Sequence, residues 1–539
     1  MASAVEPRRK KAHLIVPRDV DPFAYWPKPS LNFDENFLHI SPPPVYDEKL
    51  PIKPLKVIFV GAGVGGINFA IMSQYRLKNV DLVIYEKNET FGGTWWENKY
   101  PNCRCDVPSH YYSWRFMINE WSMGYSGSDE IWEYVREVVE EYGVEKMVTF
   151  NSRVLSATWN EATAKWHVST DVAGTVKNET CDIFVNGQGF LNRPKLPDIP
   201  GVESFAGQFL HTAKWDRSYD YSNKAVAIIG TGSSGLQTIS GVVDKVKRLD
   251  VYMRTPSYIA RFMVPEYFND DMQKQYLNPD FYRDYWKRAW NGGERTWVLN
   301  WQGSELQTRV QKMCLDRLDE EVKDPVLKAK LTPKYGIQKK HVNVITDPII
   351  RVTPKGVVVK DEAGNEIERE IEVLICATGY ENTYVPHIKI TGLNGVSMQE
   401  KWKYMAKGYK SVACAEFPNY FVMMGPNSCA AANSIHIHLE AYANYINQVI
   451  VKLQQSDIKY LHPKQSVQDE WNIEAQHVLQ RTVWGSQNQC GGWYKRGDHV
   501  IAHWPGPGNS LNDALFKPIY SEYDITYWNQ DQQQAAARL

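Results

Sequence analysis

At 539 residues the chain exceeds what one compact core can hold, so several domains are expected. Lys and Arg (61) almost balance Asp and Glu (62), and the resulting net charge of −1 lacks the basic excess that binding nucleic-acid phosphates would require. A hydrophobic share of 43% is that of an ordinary globular protein, no apolar run approaches the roughly 18 residues needed to cross a bilayer, and 19 Trp, 31 Tyr and 18 Phe are enough rings to line a large apolar pocket as well as fill cores.

Residues 1–50 carry proline, charge and scattered aromatics (DPFAYWPKPS, SPPPVYDEKL) with little periodicity, and an extended arm on the surface is expected there. Its start, MASAVEPRRKKAHLIVP, is basic but lacks the apolar core of a secretory signal. From Leu55 the character changes. LKVIFVGAGVGG reads as a buried strand ending in a glycine turn, INFAIMSQYRL as a helix and VDLVIYEK as a second strand, which together make a βαβ unit. In the turn, Gly61 permits the tight bend, Gly63 lets backbone approach a pyrophosphate and Gly66 lets helix pack on strand. Glu86 ends the next strand, 25 residues after Gly61, where a carboxylate can hold a ribose hydroxyl. A dinucleotide is therefore expected at this turn.

EIWEYVREVVEEYG predicts an amphipathic helix with a solvated outer face, with Ser128–Glu130 as its cap. VTFNSRVLSATWNEATAKWHVSTD alternates as an antiparallel meander does. In FAGQFLHTAKWD, Gly207, His211 and Trp215 stand four apart like one stripe of a helix, although glycine is a poor helix former. A second βαβ unit follows: KAVAIIGTGSSG with Gly230, Gly232 and Gly235, then LQTISGVVDKV and RLDVYMRT. Its second strand leads to Arg254 and Thr255 rather than to an acid, and an arginine there suits a ribose 2′-phosphate, so NADPH is expected over NADH. Residues 257–340 turn helical and polar, an insertion within this unit, before IEREIEVLICATGY returns to strand.

The eight cysteines form no CxxC pair and no zinc spacing, and read as reduced thiols of an intracellular protein. SIHIHLE sets His436 and His438 two apart near Glu440, but no third ligand or HExxH spacing accompanies them, so no metal is expected. Two dinucleotide sites in one chain imply relayed electrons, with an adenine nucleotide flavin bound first and a nicotinamide second. That pairing suits reductases and oxygenases alike.

Longer motifs narrow the choice. FAGQFLHTAKWD matches FxGxxxHxxxW(P/D) at every fixed position, GGTWWENKYPNCRCDVPSH keeps Gly93, Trp95, Tyr100, Pro101 and Asp106 of a second fingerprint, and ICATGY, FPNYFVMMGPN and CGGWYKRG are further matches. On these stretches the chain, from about residue 45 to 530, resembles the Baeyer–Villiger monooxygenases within the class B flavoprotein monooxygenases, and among them fungal members acting on secondary-metabolite ketones. The resemblance implies an α/β fold with two Rossmann-like dinucleotide-binding domains, for FAD and NADP, and a helical insertion. It implies that Gly93, Thr94 and Trp95 lie at the flavin and that Ala377, Thr378 and Gly379 close the flavin domain. Asp106 would stand beside flavin and nicotinamide, Trp493 would cover the nicotinamide, and His211 would organise the hinge between domains rather than act as a general base. NADPH would reduce the flavin, oxygen would add to give a C4a-peroxide sheltered by the retained NADP, and attack on a ketone would yield an ester or lactone.

One motif departs. The family pattern has a lysine that meets the 2′-phosphate and an arginine that stabilises the anionic peroxide. Here LTPKYGIQKKHVNVITDPI offers Lys339 and Lys340, with a shortened loop after them. Lysine keeps the charge but loses the planar fork of donors. Three readings therefore stand: oxygen insertion into a bulky apolar ketone (polycyclic, terpenoid or polyketide); the same nucleotides serving hydroxylation, heteroatom oxygenation or a redox-neutral rearrangement; and a nucleotide-binding protein with little turnover. The expected organisation is an arm (1–50), the N-terminal stretch of the FAD-binding domain with the fingerprint linker (51–215), the NADP domain with its insertion (216–370), and the rest of the FAD-binding domain with the C-terminal active-site segment (371–539). A cytoplasmic location is expected, with the C-terminal Ala537-Arg538-Leu539 as a peroxisomal alternative.

Overall fold

The computed structural model describes residues 10–23, 41–255, 267–325, 342–430, 433–485 and 492–529. Lys339, Lys340 and Ala537-Arg538-Leu539 lie outside the described residues.

Two parallel sheets organise the chain. Continuous apolar runs flanked by glycine make strands buried on both faces, as parallel sheets require. The first sheet takes its order from β13 (Tyr420–Val422), β7 (Ile183–Asn186), β1 (Leu55–Val60), β2 (Val80–Tyr85) and β3 (Val148–Thr149), all parallel. Val57, Ile58 and Phe59 are completely buried at its centre. Between β3 and β7 the meander β4 (Ser152–Asn160), β5 (Lys165–Val172) and β6 (Thr175–Cys181) is antiparallel, as its alternation predicts. The second sheet runs β8 (Gln208–His211), β12 (Val373–Cys376), β9 (Ala225–Ile229), β10 (Arg248–Tyr252), β11 (Val342–Ile345), again all parallel. Each sheet feeds a helix from its glycine turn: α1 (Val64–Arg76) follows β1 and α4 (Ser233–Val242) follows β9.

Two local readings are corrected. The stripe Gly207, His211, Trp215 is not helical: Gln208–His211 is strand β8, paired in register with Val373–Cys376. A side chain at Gly207 would put its Cβ 2.5 Å from the Glu372 carbonyl oxygen, so the glycine serves sheet packing. The helix α3 (Ser128–Tyr142) is capped by Gly127 in extended conformation, and Ser128 is already inside its first turn. Its other end is as expected for a glycine stop, with Gly143 left-handed and its N–H bonded to the Val139 and Glu140 carbonyls.

Between β10 and β11 in the chain come α5 (Asp270–Tyr276), α6 (Pro279–Thr296) and α7 (Glu305–Glu321). Asn278 caps α6 by accepting from the Asp280 and Phe281 N–H groups, and Pro279 takes the first helical position, where a missing N–H costs nothing. Tyr282, Trp286 and Trp290, four apart, give α6 one buried aromatic face, which packs on Tyr111, Ile118 and Ile437. Helix α6 thus leans on the first unit, while Leu318 of α7 packs with Met253 and Val344 of the second. No helix among the described residues is long and apolar enough to cross a membrane.

The longest helix, α8 (Ile435–Gln454), is buried along most of its length although it carries His436, His438, Glu440, Asn444 and Asn447. Its charge is answered locally. Arg115, whose side chain is 0% exposed, pairs with Glu440, 7% exposed, at 2.5 Å, and Arg76 donates to Asp21 and Asn444. Removing one partner of such a pair strands the other charge, so Arg115→Met is expected to lower stability by about 3–5 kcal/mol. In urea titrations the double variant Arg115→Met/Glu440→Met should recover most of that loss; a single variant as stable as wild type would contradict the assignment.

Candidate active site

The two glycine turns share one geometry. At the first, Gly61 has φ +99, and a Cβ there would stand 2.6 Å from the Gly187 carbonyl oxygen at the end of β7. A Cβ on Gly66 would stand 2.1 Å from the Gly61 carbonyl oxygen, so helix and strand meet backbone to backbone. Gly63, the extended N-cap of α1, faces Gly93, whose Cα lies 3.6 Å from where its Cβ would be. Two glycine stretches therefore flank the helix N-terminus, where unpaired N–H groups favour an anion. Glu86 is buried just past β2, and its carboxylate accepts from the Ala62 and Asn88 N–H groups, both at 2.8 Å. Burial raises its pKa, and those two N–H groups oppose the rise. Thr94 and Trp95 open the short helix α2 (Thr94–Glu97), and the Trp95 indole donates to the Tyr112 hydroxyl at 3.0 Å.

These residues fit a large polar ligand. α8 begins beside the turn, its Leu439 3.4 Å from where a Gly65 Cβ would lie. At its start the buried Ser434 Oγ and His436 Nδ1 have no hydrogen-bond partner among the described residues. Each such atom left unpaired costs about 1–3 kcal/mol, a penalty that a bound group offering polar atoms would relieve.

At the second turn Gly230 has φ +106, and its Cβ would stand 2.5 Å from the Ala377 carbonyl oxygen at the end of β12. Gly235 repeats the Gly66 contact, its Cβ 2.2 Å from the Gly230 carbonyl oxygen. Gly232 has nothing within 4 Å of its Cβ position and leaves the N-terminus of α4 open, again as a dinucleotide requires. Arg254 is exposed two residues beyond β10.

His211 ties the linker to the turn after β12. It is 5% exposed; its Nδ1 accepts from the Ala213 N–H at 3.0 Å, so the ring proton sits on Nε2, facing the Lys195 carbonyl at 3.3 Å and Thr378 Oγ1 at 3.4 Å. Thr378 Oγ1 donates to the same carbonyl, and the Lys195 N–H donates to the Gly379 carbonyl at 2.9 Å. Burial lowers the histidine pKa. The geometry makes His211 a neutral cross-link between the fingerprint and the Ala377-Thr378-Gly379 turn.

The segment leading to Asp106 docks on α4. Tyr100 donates to the Gln237 side chain at 2.9 Å, Gln237 donates to the Arg104 carbonyl at 3.0 Å, and Asn102 donates to Ser240 at 2.6 Å. Asp106 is exposed where this segment of the first unit lies along the helix of the second turn. Gln237 went unnoticed in the sequence; its only signal is an amide on a helix otherwise packed by Leu236, Ile239 and Val242. Trp493, 39% exposed, stacks on Phe190 at 5.7 Å, and Phe190 stacks on Tyr384 at 5.2 Å, a ring column beginning three residues after Gly187. A cleft of about 650 Å³ opens between α2, α3 and the linker, lined by Lys87, Trp96, Lys99, Asn192, Trp215 and Arg217 among others.

Known proteins resemble this chain over most of its length. The family model for flavin-binding monooxygenase-like proteins matches residues 54–397. A FAD-binding monooxygenase, moxY, from Dothistroma septosporum is 31% identical over 511 residues, covering 88% of this chain and 80% of its own. A Baeyer-Villiger monooxygenase from Pseudomonas aeruginosa is 31% identical over 479 residues, covering 84% and 88%. The closed crystal structure of cyclohexanone monooxygenase superposes with a TM-score of 0.76 at 22% identity, covering 88% of this chain and 100% of that one, which establishes a common fold.

The turn geometry separates two glycines that look alike in sequence. Gly232→Ala, pointing into open space, should fold normally yet lose about ten-fold in affinity for NADPH, the nucleotide expected at this turn, because a methyl group blocks close backbone approach. Gly235→Ala should lose folded protein instead. Circular dichroism with NADPH titration distinguishes them; equal behaviour of the two variants would contradict the geometry.

Proposed function

The chain belongs to the flavin-binding monooxygenase-like family and is a Baeyer–Villiger-type monooxygenase dependent on FAD and NADPH; we propose that it inserts one oxygen atom of O2 beside the carbonyl of a bulky apolar ketone, of polycyclic, terpenoid or polyketide kind, to give an ester or lactone. The balance is ketone, O2, NADPH and a proton giving ester, water and NADP. The observation that carries the reading is the fingerprint strand Gln208–His211, whose histidine ties the linker at Lys195 to the Thr378 turn, beside two glycine turns that alone would suit reductases as well.

Gly61, Gly63, Gly66, Glu86, Gly93, Thr94 and Trp95 would hold the FAD, with Ala377, Thr378 and Gly379 closing over from the turn after β12. FAD, once bound, supplies the redox centre that accepts a hydride from NADPH and hands the electrons to O2. Gly230, Gly232 and Gly235 receive the NADPH pyrophosphate, and Arg254 pairs with the ribose 2′-phosphate. Asp106, exposed at the end of the segment that docks on α4, would stand near both nucleotides when they are bound. His211 keeps the linker in register without exchanging a proton, because its one acceptor nitrogen is taken by the Ala213 N–H. Trp493, stacked on Phe190, would cover the nicotinamide end and limit water. Lys339 and Lys340 stand where the family pattern has lysine and arginine. That swap favours a second reading, in which the same nucleotides serve hydroxylation, heteroatom oxygenation or a redox-neutral rearrangement.

Turnover of 2-adamantanone under 18O2 tests the choice. Oxygen insertion places one labelled atom in the ring of a lactone, with NADPH consumed in equal amount. Label in a hydroxyl group, or NADPH recovered unoxidised beside product, sinks the first reading in favour of the second. Independently, Arg254→Ala should raise KM for NADPH about ten- to hundred-fold, the worth of a charge-assisted contact, and leave the much weaker NADH reaction alone. Steady-state kinetics with both nucleotides reads the effect.

A further inference from the structure

A polar hub lies outside the residues assigned above. Near the end of α6, the Glu294 carboxylate accepts from the Gly508 N–H at 2.8 Å and the Asn509 N–H at 3.1 Å, the first N–H groups of α9 (Gly508–Ala514), and also from the Asn433 side-chain amide. Asn433 in turn accepts from the Tyr111 hydroxyl at 2.8 Å. One carboxylate thus gathers the helical insertion, the segment before α8, the residues following Asp106 and the C-terminal segment. The fit is close. A Cβ on Gly508 would stand 2.5 Å from Asn433 Nδ2 and 2.8 Å from Glu294 Oε1.

The hub ends a backbone zipper. The Asn427 N–H donates to the Ile501 carbonyl at 2.7 Å, the Cys429 N–H to the Ala502 carbonyl at 2.9 Å, and the Trp504 N–H to the Cys429 carbonyl at 2.9 Å. The Ile501 N–H donates to the Tyr494 carbonyl at 2.8 Å, next to Trp493. Residues 501–504 are therefore laid along Asn427–Cys429 of the first unit, with Trp493 beside Tyr494 at one end and Glu294 holding Gly508 at the other. On the inner side, Tyr112 beside Tyr111 bonds Trp95 and packs on His436 at 4.9 Å. A slackened hub would release both walls.

We propose that Glu294 is a positioning residue that clamps the C-terminal segment on the flavin unit and so keeps water from the reaction site. The inference rests on the flavin and NADPH reading above. Its signature is leakage: NADPH, O2 and a proton giving NADP and hydrogen peroxide, with no ketone present.

The FAD-loaded full chain and three variants, Glu294→Gln, Gly508→Ala and the milder Tyr111→Phe, test it. Each is expected to keep FAD and to be reduced by NADPH anaerobically within about two-fold of wild type, while ketone-free peroxide release rises about ten-fold in the first two and in the same direction in the third, as opening a gating element predicts. Peroxide release at the wild-type rate in any variant that keeps FAD overturns the proposal. Loss of FAD or of NADPH reduction in all three makes the hub a stability element and overturns it as well. A wild-type flavin that NADPH does not reduce instead rejects the functional reading, an outcome separate from any variant.

Discussion

The structure depends on one contact made twice: a glycine with no side chain pressed against the carbonyl that ends a neighbouring strand. Gly61 meets Gly187 and Gly230 meets Ala377, at distances no Cβ tolerates. With both turns held level with their sheet ends, α1 and α4 start from the same point in each unit and present their unpaired N–H groups outward. A second pair of contacts, Gly66 and Gly235 against those first glycines, keeps each helix on its sheet. Backbone polarity and missing side chains therefore shape both cradles before any charged residue acts.

Coupling between the units rests on groups that stay neutral or are fully paired. An imidazolium at His211 would turn a second N–H towards the Ala213 N–H, so the bond from Ala213 exists only in the neutral ring, which burial favours. The other crossings are of the same kind: Gln237 on Arg104, Tyr380 on Asn98, and the aromatic face of α6 on Tyr111 and Ile437. The chain passes between the units several times, and these passages are tied by uncharged hydrogen bonds and rings together with charged groups such as Arg217 on Asp129 and the Glu294 carboxylate. The uncharged links among them survive modest changes of pH and salt, which suits a protein whose two sites must stay aligned.

Features set by neighbours in the chain were legible in the sequence. The glycine turns, Glu86 after β2 and the meander are local patterns whose geometry follows from a few consecutive residues. The fingerprint around His211 was legible as a motif, but its regular spacing suggested a helix; pairing with β12, 165 positions away, makes it a strand. Ser128 looked like a cap because serine is a good one, yet Gly127 takes the extended backbone that the cap needs. The Glu294 hub joins residues up to 322 positions apart, and no local pattern marks Glu294, Asn433 or Gly508 as neighbours. Phe190 and Tyr384 were invisible as partners of Trp493 for the same reason.

The central claim is that two dinucleotide cradles in one chain pass reducing equivalents from one ligand to the other. Mixing the FAD-loaded protein anaerobically with NADPH or NADH in a stopped-flow spectrometer tests it most directly. The account predicts bleaching of the flavin absorbance by one equivalent of NADPH, with NADH slower by about ten-fold or more for want of the 2′-phosphate. Flavin that stays oxidised with NADPH, or equal rates with both nucleotides, would contradict it.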